Sequence, residues 1–582
     1  MPGFFVSNCS VNFDLRDYYK EKCVAQKMDF ATEGITVKRQ TLNKFMDDKI
    51  FDDNNDYLIV LEGYLLNKHD LLEKYKQDTL WSLLTTMYEK NGETFFREFR
   101  GCFSGTFYDK KKNRWLFFTN QIGDNPLFYF YNGNMFAVGS QIQYLLDFCD
   151  ENKIKLSFNE SCAYQLMTFG YVATNETYAK EINRIGAGDY LVVQDGNLFE
   201  KTYHRFKKNL NRFQGKTEDE IIIELDKAFK KAVSLEWEKD NEYGLKHFAD
   251  LSGGLDSRMN YWVAHELMNC HPLVLTYSKA GYLDETIAEN IAHKWRDEII
   301  FKALDDATFL YDIDENTSLL GGLSLYSGIT GGKRLLENLN LHNYGIEHTG
   351  MVGDAILGSF YSTPSDGEQR RPTGMYSQKL IMRLSEKALN WYQNYFDYEI
   401  YLMYARGFHG ACNSHLIRRN FTEVGSPFLN VDFVQLCYDI PVELRVGHRI
   451  YKRWIIKMHP DAANFKWEKT GAKITEGQFI GTVRKIIKRG PNKIKKIFGK
   501  DELIKTGMNP LDYWLSENEK LREYIDSYEK KGYGYLPAGT SKQLEEDMKN
   551  LYAYGNTNEK TMVLTVLSSM KLYFGERNGT HT

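Results

Sequence analysis

Residues 246–260 read Lys-His-Phe-Ala-Asp-Leu-Ser-Gly-Gly-Leu-Asp-Ser-Arg-Met-Asn, and the reading of the whole chain turns on them. An apolar run from Phe248 to Leu251 enters Ser252-Gly253-Gly254-Leu255-Asp256-Ser257, and a helical pattern follows. Paired glycines let the backbone pass close to a ligand that a Cβ would hold off. A turn opening a helix offers N–H groups to an anion, and Ser252 and Ser257 add hydroxyl donors. Asp256 beside a phosphate requires a divalent cation between them. No Gly-Lys-Ser/Thr ending follows, so the loop is not of the Walker A kind. The plain alternative is a Gly-Gly turn between strand and helix; the flanking pattern favours phosphate binding.

Outward from this loop the chain alternates. Strand-like His247–Leu251 precedes helical Asp256–Met268, strand-like Leu273–Ser278 precedes helical Asp284–Trp295, and strand-like Glu298–Lys302 follows. Such alternation predicts parallel βαβ units. It puts the glycine loop at the carboxyl end of the first strand, where parallel sheets bind ligands. Upstream, Thr217 and Glu220 form a capping-box signal, and Ile221, Ile222, Leu225, Phe229 and Val233 continue at helical spacing. The polar stretch 207–216 marks a boundary, so two domains are expected, 1–208 and 209–582. Beyond residue 380 the pattern is mainly helical.

The first two hundred residues read as an α+β layered domain. Short strand-like runs occur at Tyr57–Leu61, Phe103–Tyr108, Trp115–Thr119, Leu127–Tyr131 and Tyr190–Val193, with Asn132-Gly133 and Asp195-Gly196 as hairpin turns. Helical patterns lie at Leu80–Lys90 and Cys162–Phe169.

Composition is that of an ordinary globular chain, 42% hydrophobic and 26% charged, and the net charge of −4 gives no sign of a nucleic-acid partner. The eight cysteines form no C-x-x-C pair and read as buried thiols in a reducing compartment. No charged-then-apolar leader opens the sequence, and the apolar run Tyr57–Leu66 is too short to span a bilayer. A cytoplasmic location without an integral membrane segment is expected. Residues 484–500 carry eight basic side chains among isoleucines and Phe498, either a solvated face or a docking surface for an acidic peptide, a carrier or a membrane. Residues 363–377 read as an exposed mobile loop.

A second glycine-rich stretch, Thr349-Gly350-Met351-Val352-Gly353-Asp354-Ala355-Ile356-Leu357-Gly358, suggests another close-approach loop. Aspartates from two loops together with phosphate oxygens make a reasonable octahedral Mg²⁺ site. Asp256 and Asp354 are the candidate metal ligands.

With both loops in view, Ser252–Ser257 resembles the S-G-G-x-D-S pyrophosphate loop of ATP pyrophosphatases. The chain as a whole resembles the glutamine-hydrolysing asparagine synthetase superfamily and its amide-forming relatives, β-lactam synthetases and lasso-peptide cyclases. In the first half, Gly63-Tyr64-Leu65-Leu66-Asn67 resembles G-E-I-Y-N, and Gly123-Asp124-Asn125-Pro126-Leu127-Phe128-Tyr129 resembles G-I-K-P-L-Y-Y. Gly188-Asp189-Tyr190-Leu191 resembles G-H-Y-L. In the second half, Thr276-Tyr277-Ser278 resembles T-F-S, Ser426-Pro427-Phe428-Leu429-Asn430 resembles R-V-P-F-L-D, and Trp467-Glu468-Lys469-Thr470-Gly471 resembles R-x-K-x-G. The resemblance implies an Ntn-hydrolase-like αββα domain, then an ATP-pyrophosphatase (PP-loop) α/β domain with a helical C-terminal part. It implies ATP and Mg²⁺, adenylation of a substrate carboxylate with loss of pyrophosphate, and attack by an amine with loss of AMP. Ser252, Gly253, Gly254, Asp256 and Ser257 would hold the pyrophosphate. Leu251, Ser278, Thr349 and Gly350 would border the adenosine, and Lys469 would stabilise the oxyanion.

The departures from the family redirect the expectation. Glutamine-dependent members place a nucleophilic cysteine after the initiator methionine, where Pro2 stands here. The family's N-G-E reads Glu62-Gly63-Tyr64, and its R-D-R-L-G reads Thr119-Asn120-Gln121-Ile122-Gly123, so both glutamine-binding segments are altered. Asparagine synthetases carry glutamates where Met351 and Ala355 stand, and the first handles protons as ammonia attacks. Glu423 is the candidate replacement base; His409 and His415 are given no role. The expected function is an ATP-dependent ligase coupling a carboxylate to an amine from a source other than glutamine, on a small molecule, peptide or glycan. An asparagine synthase using free ammonia and a silent ATP-binding scaffold are the alternatives. Arg258, where relatives have small residues, has no explanation at this level.

Overall fold

A computed structural model describes residues 2–15, 24–32, 34–329, 332–369, 375–476 and 507–575. The alternation upstream and downstream of the glycine loop folds as anticipated. Lys246–Asp250, Leu273–Ser278 and Ile299–Ala303 are parallel strands, joined by the helices Leu255–Met268 and Leu283–Trp295. Two more strands, Tyr344–His348 and Val424–Gly425, extend the sheet on the other side of Lys246–Asp250. The chain therefore runs outward one way from the central strand and later returns on its opposite flank. A reversal of that kind leaves a crevice at the carboxyl ends of the strands, and the glycine loop opens there.

The long helix Glu218–Glu242 starts at the Thr217–Glu220 capping box, with both reciprocal hydrogen bonds formed. Its apolar stripe is buried, and the Phe229 ring meets those of Phe428, Trp454 and Phe433 at 4.7, 5.0 and 5.2 Å. Trp237 Nε1 donates to Asn260 Oδ1 at 2.9 Å, fixing this helix against the one that follows the glycine loop.

Two six-stranded antiparallel sheets form the N-terminal part. Phe4, Val6, Val60, Phe117, Val138 and Leu191 fill the space between them. One sheet carries the helices Lys68–Tyr75 and Leu80–Asn91 on its outer face; the other carries Ile142–Glu151 and Glu160–Phe169. The order is helix, sheet, sheet, helix, as expected. Asp195 and Gly196 both have positive φ and close a two-residue hairpin between Gln194 and Asn197.

Gly3–Ser7 and Ile35–Leu42 were not anticipated as strands. Along Ile35–Leu42 the polar Lys38, Arg39 and Gln40 are all buried. Arg39 pairs with Glu62 of the facing sheet, so local polarity misleads where the balancing charge is remote.

One apolar core runs across residue 208. The helices Glu519–Gly532, Lys542–Tyr554 and Thr557–Phe574 pack against the N-terminal helix Glu160–Phe169 and its neighbours. Buried charges tie the halves elsewhere: Asp48, fully buried, takes Lys68 at 2.7 Å and Lys239 at 2.6 Å. The basic segment 484–500 lies outside the described residues, as do 370–374 of the expected loop. Its visible flank is anchored, since the Tyr376 and Ser377 amides both donate to Thr168 O. Among the described residues no helix is long and apolar enough to cross a membrane, and the seven described cysteines are all free.

Candidate functional site

The two glycine loops meet. Ser252 N–H donates to Ser257 Oγ at 3.0 Å, and Gly254 N–H to Ser252 Oγ at 3.2 Å, so the first loop folds around its own hydroxyls. Across from it, Asp354 N–H donates to Asp256 Oδ2 at 2.8 Å, and Tyr451 OH donates to Asp256 Oδ1 at 2.8 Å. A Cβ at Gly350 would lie 2.2 Å from Ser257 N, so only glycine permits this approach. Val352, a β-branched residue, is held at φ 57° between the loop glycines, a strained conformation of the kind that collects at functional sites.

Burial, and then the neighbouring Asp354 carboxylate, push the Asp256 carboxyl well above its ordinary range; Tyr451, the Asp354 amide and the Lys469 charge oppose this. A buried carboxyl with a second carboxylate beside it is a donor set that a hard divalent cation relieves. Asp256 and Asp354 fit Mg²⁺ on that ground.

A cleft of about 500 Å3 lies over the loops. Leu251, Ser252, Gly254, Asp256, Ser257, Thr349, Gly350, Asp354 and Lys469 all line it. Three anticipated residues behave differently. Gly253 N–H donates to Asp284 Oδ1 at 2.7 Å, and a Cβ there would lie 2.6 Å from Glu468 Cβ. Its missing side chain makes room for the protein's own chain, and its amide is engaged internally. Ser278 is fully buried with its hydroxyl donating to Lys279 O, and Thr276 and Tyr277 line the cleft in its place. Glu423 is not brought to the cleft: it is buried against Lys49, 3.0 Å away, because that ammonium sits inside the N-terminal layers and needs an anion.

Arg258 now has an account. Fully buried, it donates to the carbonyls of Gly253, Ala462, Phe465 and Lys466. Glu468 N–H donates to Gly253 O as well. Arg258 thus staples the glycine loop to the segment that carries Lys469, whose ammonium lies 5.5 Å over the Trp467 ring.

Sequence reasoning also missed His448. It lines the cleft beside Asp354 and Lys469, and its Nε2 is buried beside Gly358 with no hydrogen-bond partner. Burial, then the Lys469 charge, hold the imidazole down at about 4, so it is neutral near pH 7 and keeps a lone pair. No motif marks it; it stands alone at the start of the helix Arg449–Met458. The cleft floor holds a further buried group, with Arg418 bonded to Asp250 Oδ2 (2.9 Å), Tyr277 OH (2.6 Å) and Glu347.

In the N-terminal half, Glu62 accepts from Arg39 and from Thr41 Oγ1 at 2.7 Å. Asn120 Nδ2 donates to Asp124 Oδ1 at 2.7 Å, and Asn120 Oδ1 accepts from Gly123 N–H at 2.9 Å. Cys102 is buried, accepts from Arg419 at 2.8 Å and has its thiol pushed well above the usual range by burial. The void beside Tyr64, Cys102 and Asn120 is only about 30 Å3.

A sequence profile described as a glutamine amidotransferase domain matches residues 43–204. A provisionally named asparagine synthetase (glutamine-hydrolyzing) 2 of Methanocaldococcus jannaschii is 26% identical over 248 residues, 42% of this chain and 46% of that protein. The match spans about half the length of this curated relative. Among solved structures, a glutamine phosphoribosylpyrophosphate amidotransferase from B. subtilis covers 46% of this chain and 67% of its own, at 8% identity and TM-score 0.21. An allosteric regulatory enzyme of purine biosynthesis covers 52% and 74%, at 9% identity and TM-score 0.23. Neither likeness is close enough to argue from.

Proposed function

We propose that the chain is an ATP-dependent ligase that adenylates a carboxylate and couples it to an amine not supplied by glutamine. The observation that carries this reading is the contact of two glycine loops that sets Asp354 against Asp256, with Lys469 on the same cleft.

The substrate carboxylate oxygen attacks the α-phosphorus of ATP, and the bond to pyrophosphate breaks. Asp256 and Asp354 would hold Mg²⁺, which neutralises charge on the departing pyrophosphate. Ser252, Ser257 and the helix N-terminus at Leu255 bind its oxygens. The amine then attacks the acyl carbon; Lys469 stabilises the oxyanion, and the bond to AMP breaks. The amine's surplus proton needs an acceptor. Met351, where asparagine synthetases have glutamate, is no base, and His448 is the imidazole that lines the same cleft.

The glutamine-independent part of the reading rests on Glu62 and Asn120, whose polar atoms are consumed by Arg39, Thr41, Asp124 and Gly123. The 30 Å3 void has room for a few waters at most and is too small for glutamine.

The test follows ATP by ³¹P NMR with Mg²⁺ and a panel of carboxylates, each with and without ammonia, glutamine or other amines. AMP and pyrophosphate appearing with one acid support the ligase. Product from aspartate and ammonia alone would make the chain an asparagine synthase, and turnover fed by glutamine would overturn the glutamine-independent reading. ATP untouched throughout, with equal ATP binding by wild type and Asp256→Ala, would sink adenylation and leave a scaffold.

A further inference from the structure

A second chamber, about 630 Å3, opens beside the nucleotide cleft, and Met351, Asp354, His448 and Lys469 line both. A carboxylate seated at that border lies next to the nucleotide. Away from the border, the walls are aromatic: Tyr171, Phe360, Tyr361 and Tyr376. The only fixed charge in this outer part of the chamber, among the described residues, is Arg406.

Arg406 sits in a run of π-helix, Met403–Ala411, a form rare elsewhere and frequent at functional sites. Its guanidinium lies 4.6 Å over the Phe360 ring. No carboxylate among the described residues pairs with it, whereas Arg418, Arg419 and Arg445, lower in the same half, each have an acidic partner. A half-buried guanidinium stacked on an aromatic face, with its donors unclaimed, has the geometry to receive a carboxylate or phosphate. Among the described residues the chamber has no second acid that could match an ammonium: Asp354, their one carboxylate there, is at the border with the proposed metal site.

Resting on the ligase reading, we infer that the acid substrate carries two anionic groups on a bulky apolar or aromatic body and has no free ammonium. One carboxylate reacts at the Lys469 border and the other is clamped by Arg406. An N-acylated dicarboxylic amino acid has this chemistry; free aspartate does not, because its ammonium would be desolvated without a partner. A chamber of this volume also suits a ligand of drug size rather than one amino acid.

The test is calorimetric titration of the full chain, with Mg²⁺ and a non-hydrolysable ATP analogue, using three probes: N-benzoyl-aspartate, N-benzoyl-β-alanine, which lacks the second carboxylate, and aspartate. N-benzoyl-aspartate is expected to bind tightest, and Arg406→Gln to raise its Kd about tenfold or more, to the level of the mono-acid. Arg406→Lys, which keeps charge but not the fork, should fall between. Equal melting temperatures establish that the variants fold. Aspartate binding at least as well as the benzoylated diacid, an unchanged Kd in Arg406→Gln, or no binding of any acid would each overturn the inference. Failure of the ligase reading is read separately: the ATP analogue would then bind wild type and Asp256→Ala alike.

Discussion

Asp354 N–H donates to Asp256 Oδ2 at 2.8 Å, joining two loops 98 residues apart in the chain. The amide bond aligns one carboxyl, and the second carboxyl arrives on the same residue that donates it. This places two acids at one crevice, where the Asp354 carboxylate adds to the cost of charging the buried Asp256.

Asp256→Asn and Asp354→Asn should each lower ATP consumption by about a hundredfold or more, the scale of losing one group that stabilises developing charge. Mg²⁺ titration monitored by nucleotide binding checks it. Wild-type Mg²⁺ dependence in either variant would remove that residue from the metal site.

Gly350→Ala places a methyl 2.2 Å from Ser257 N and 2.5 Å from the Asp256 carbonyl carbon, both backbone atoms. The loops must part, at a cost of about 1–3 kcal/mol. Melting temperature and nucleotide affinity should fall together. Retained affinity would mean that the loops need not touch.

Lys469→Met and His448→Gln should divide the reaction. Pyrophosphate exchange, which reports adenylation, should survive far better than amide formation, which should drop about a hundredfold or more. Equal losses in both assays would place these groups in nucleotide binding instead. The Arg258 staple predicts that Arg258→Met resembles Lys469→Met in this split.

Burial pushes Glu347 up to about 8, with the nearby Asp250 adding to the shift and the Arg418 charge opposing it. An unfolded glutamate titrates near about 4.3. Between those values the folded chain keeps a proton that the unfolded chain has lost, so the contribution of Glu347 to stability declines as pH rises from about 4 to 8. Glu347→Gln should flatten that decline in denaturant midpoints measured across the range. An unchanged slope would show that Glu347 is ionised in the fold.

Removing residues 1–200 should leave an insoluble remainder. The truncation strips Phe5, Leu145, Phe148 and Leu166 from the core shared with the C-terminal helices, and takes Asp48 from the buried Lys239. A soluble fragment that still consumed ATP would refute this.

Local rules were enough for the central architecture. Paired glycines, a capping box at Thr217 and strand–helix alternation from 247 to 302 are properties of neighbouring residues, so the glycine loop and its strand, helix and parallel sheet were legible in the sequence alone. So were most of the residues that line the cleft. What the sequence could not show was which distant charges meet. Glu423 looked free to act as a base until Lys49, 374 positions away, claimed it. Arg258 looked anomalous until four carbonyls, three of them some 200 residues downstream, were seen around it. Gly253 yields its space to Glu468 rather than to a ligand, and His448 and Arg406 enter the site without any motif. Periodicity and glycine placement encode backbone conformation along the chain. Partner choice among buried charges is settled only when packing excludes water and each charge must be answered by whatever the fold has brought beside it.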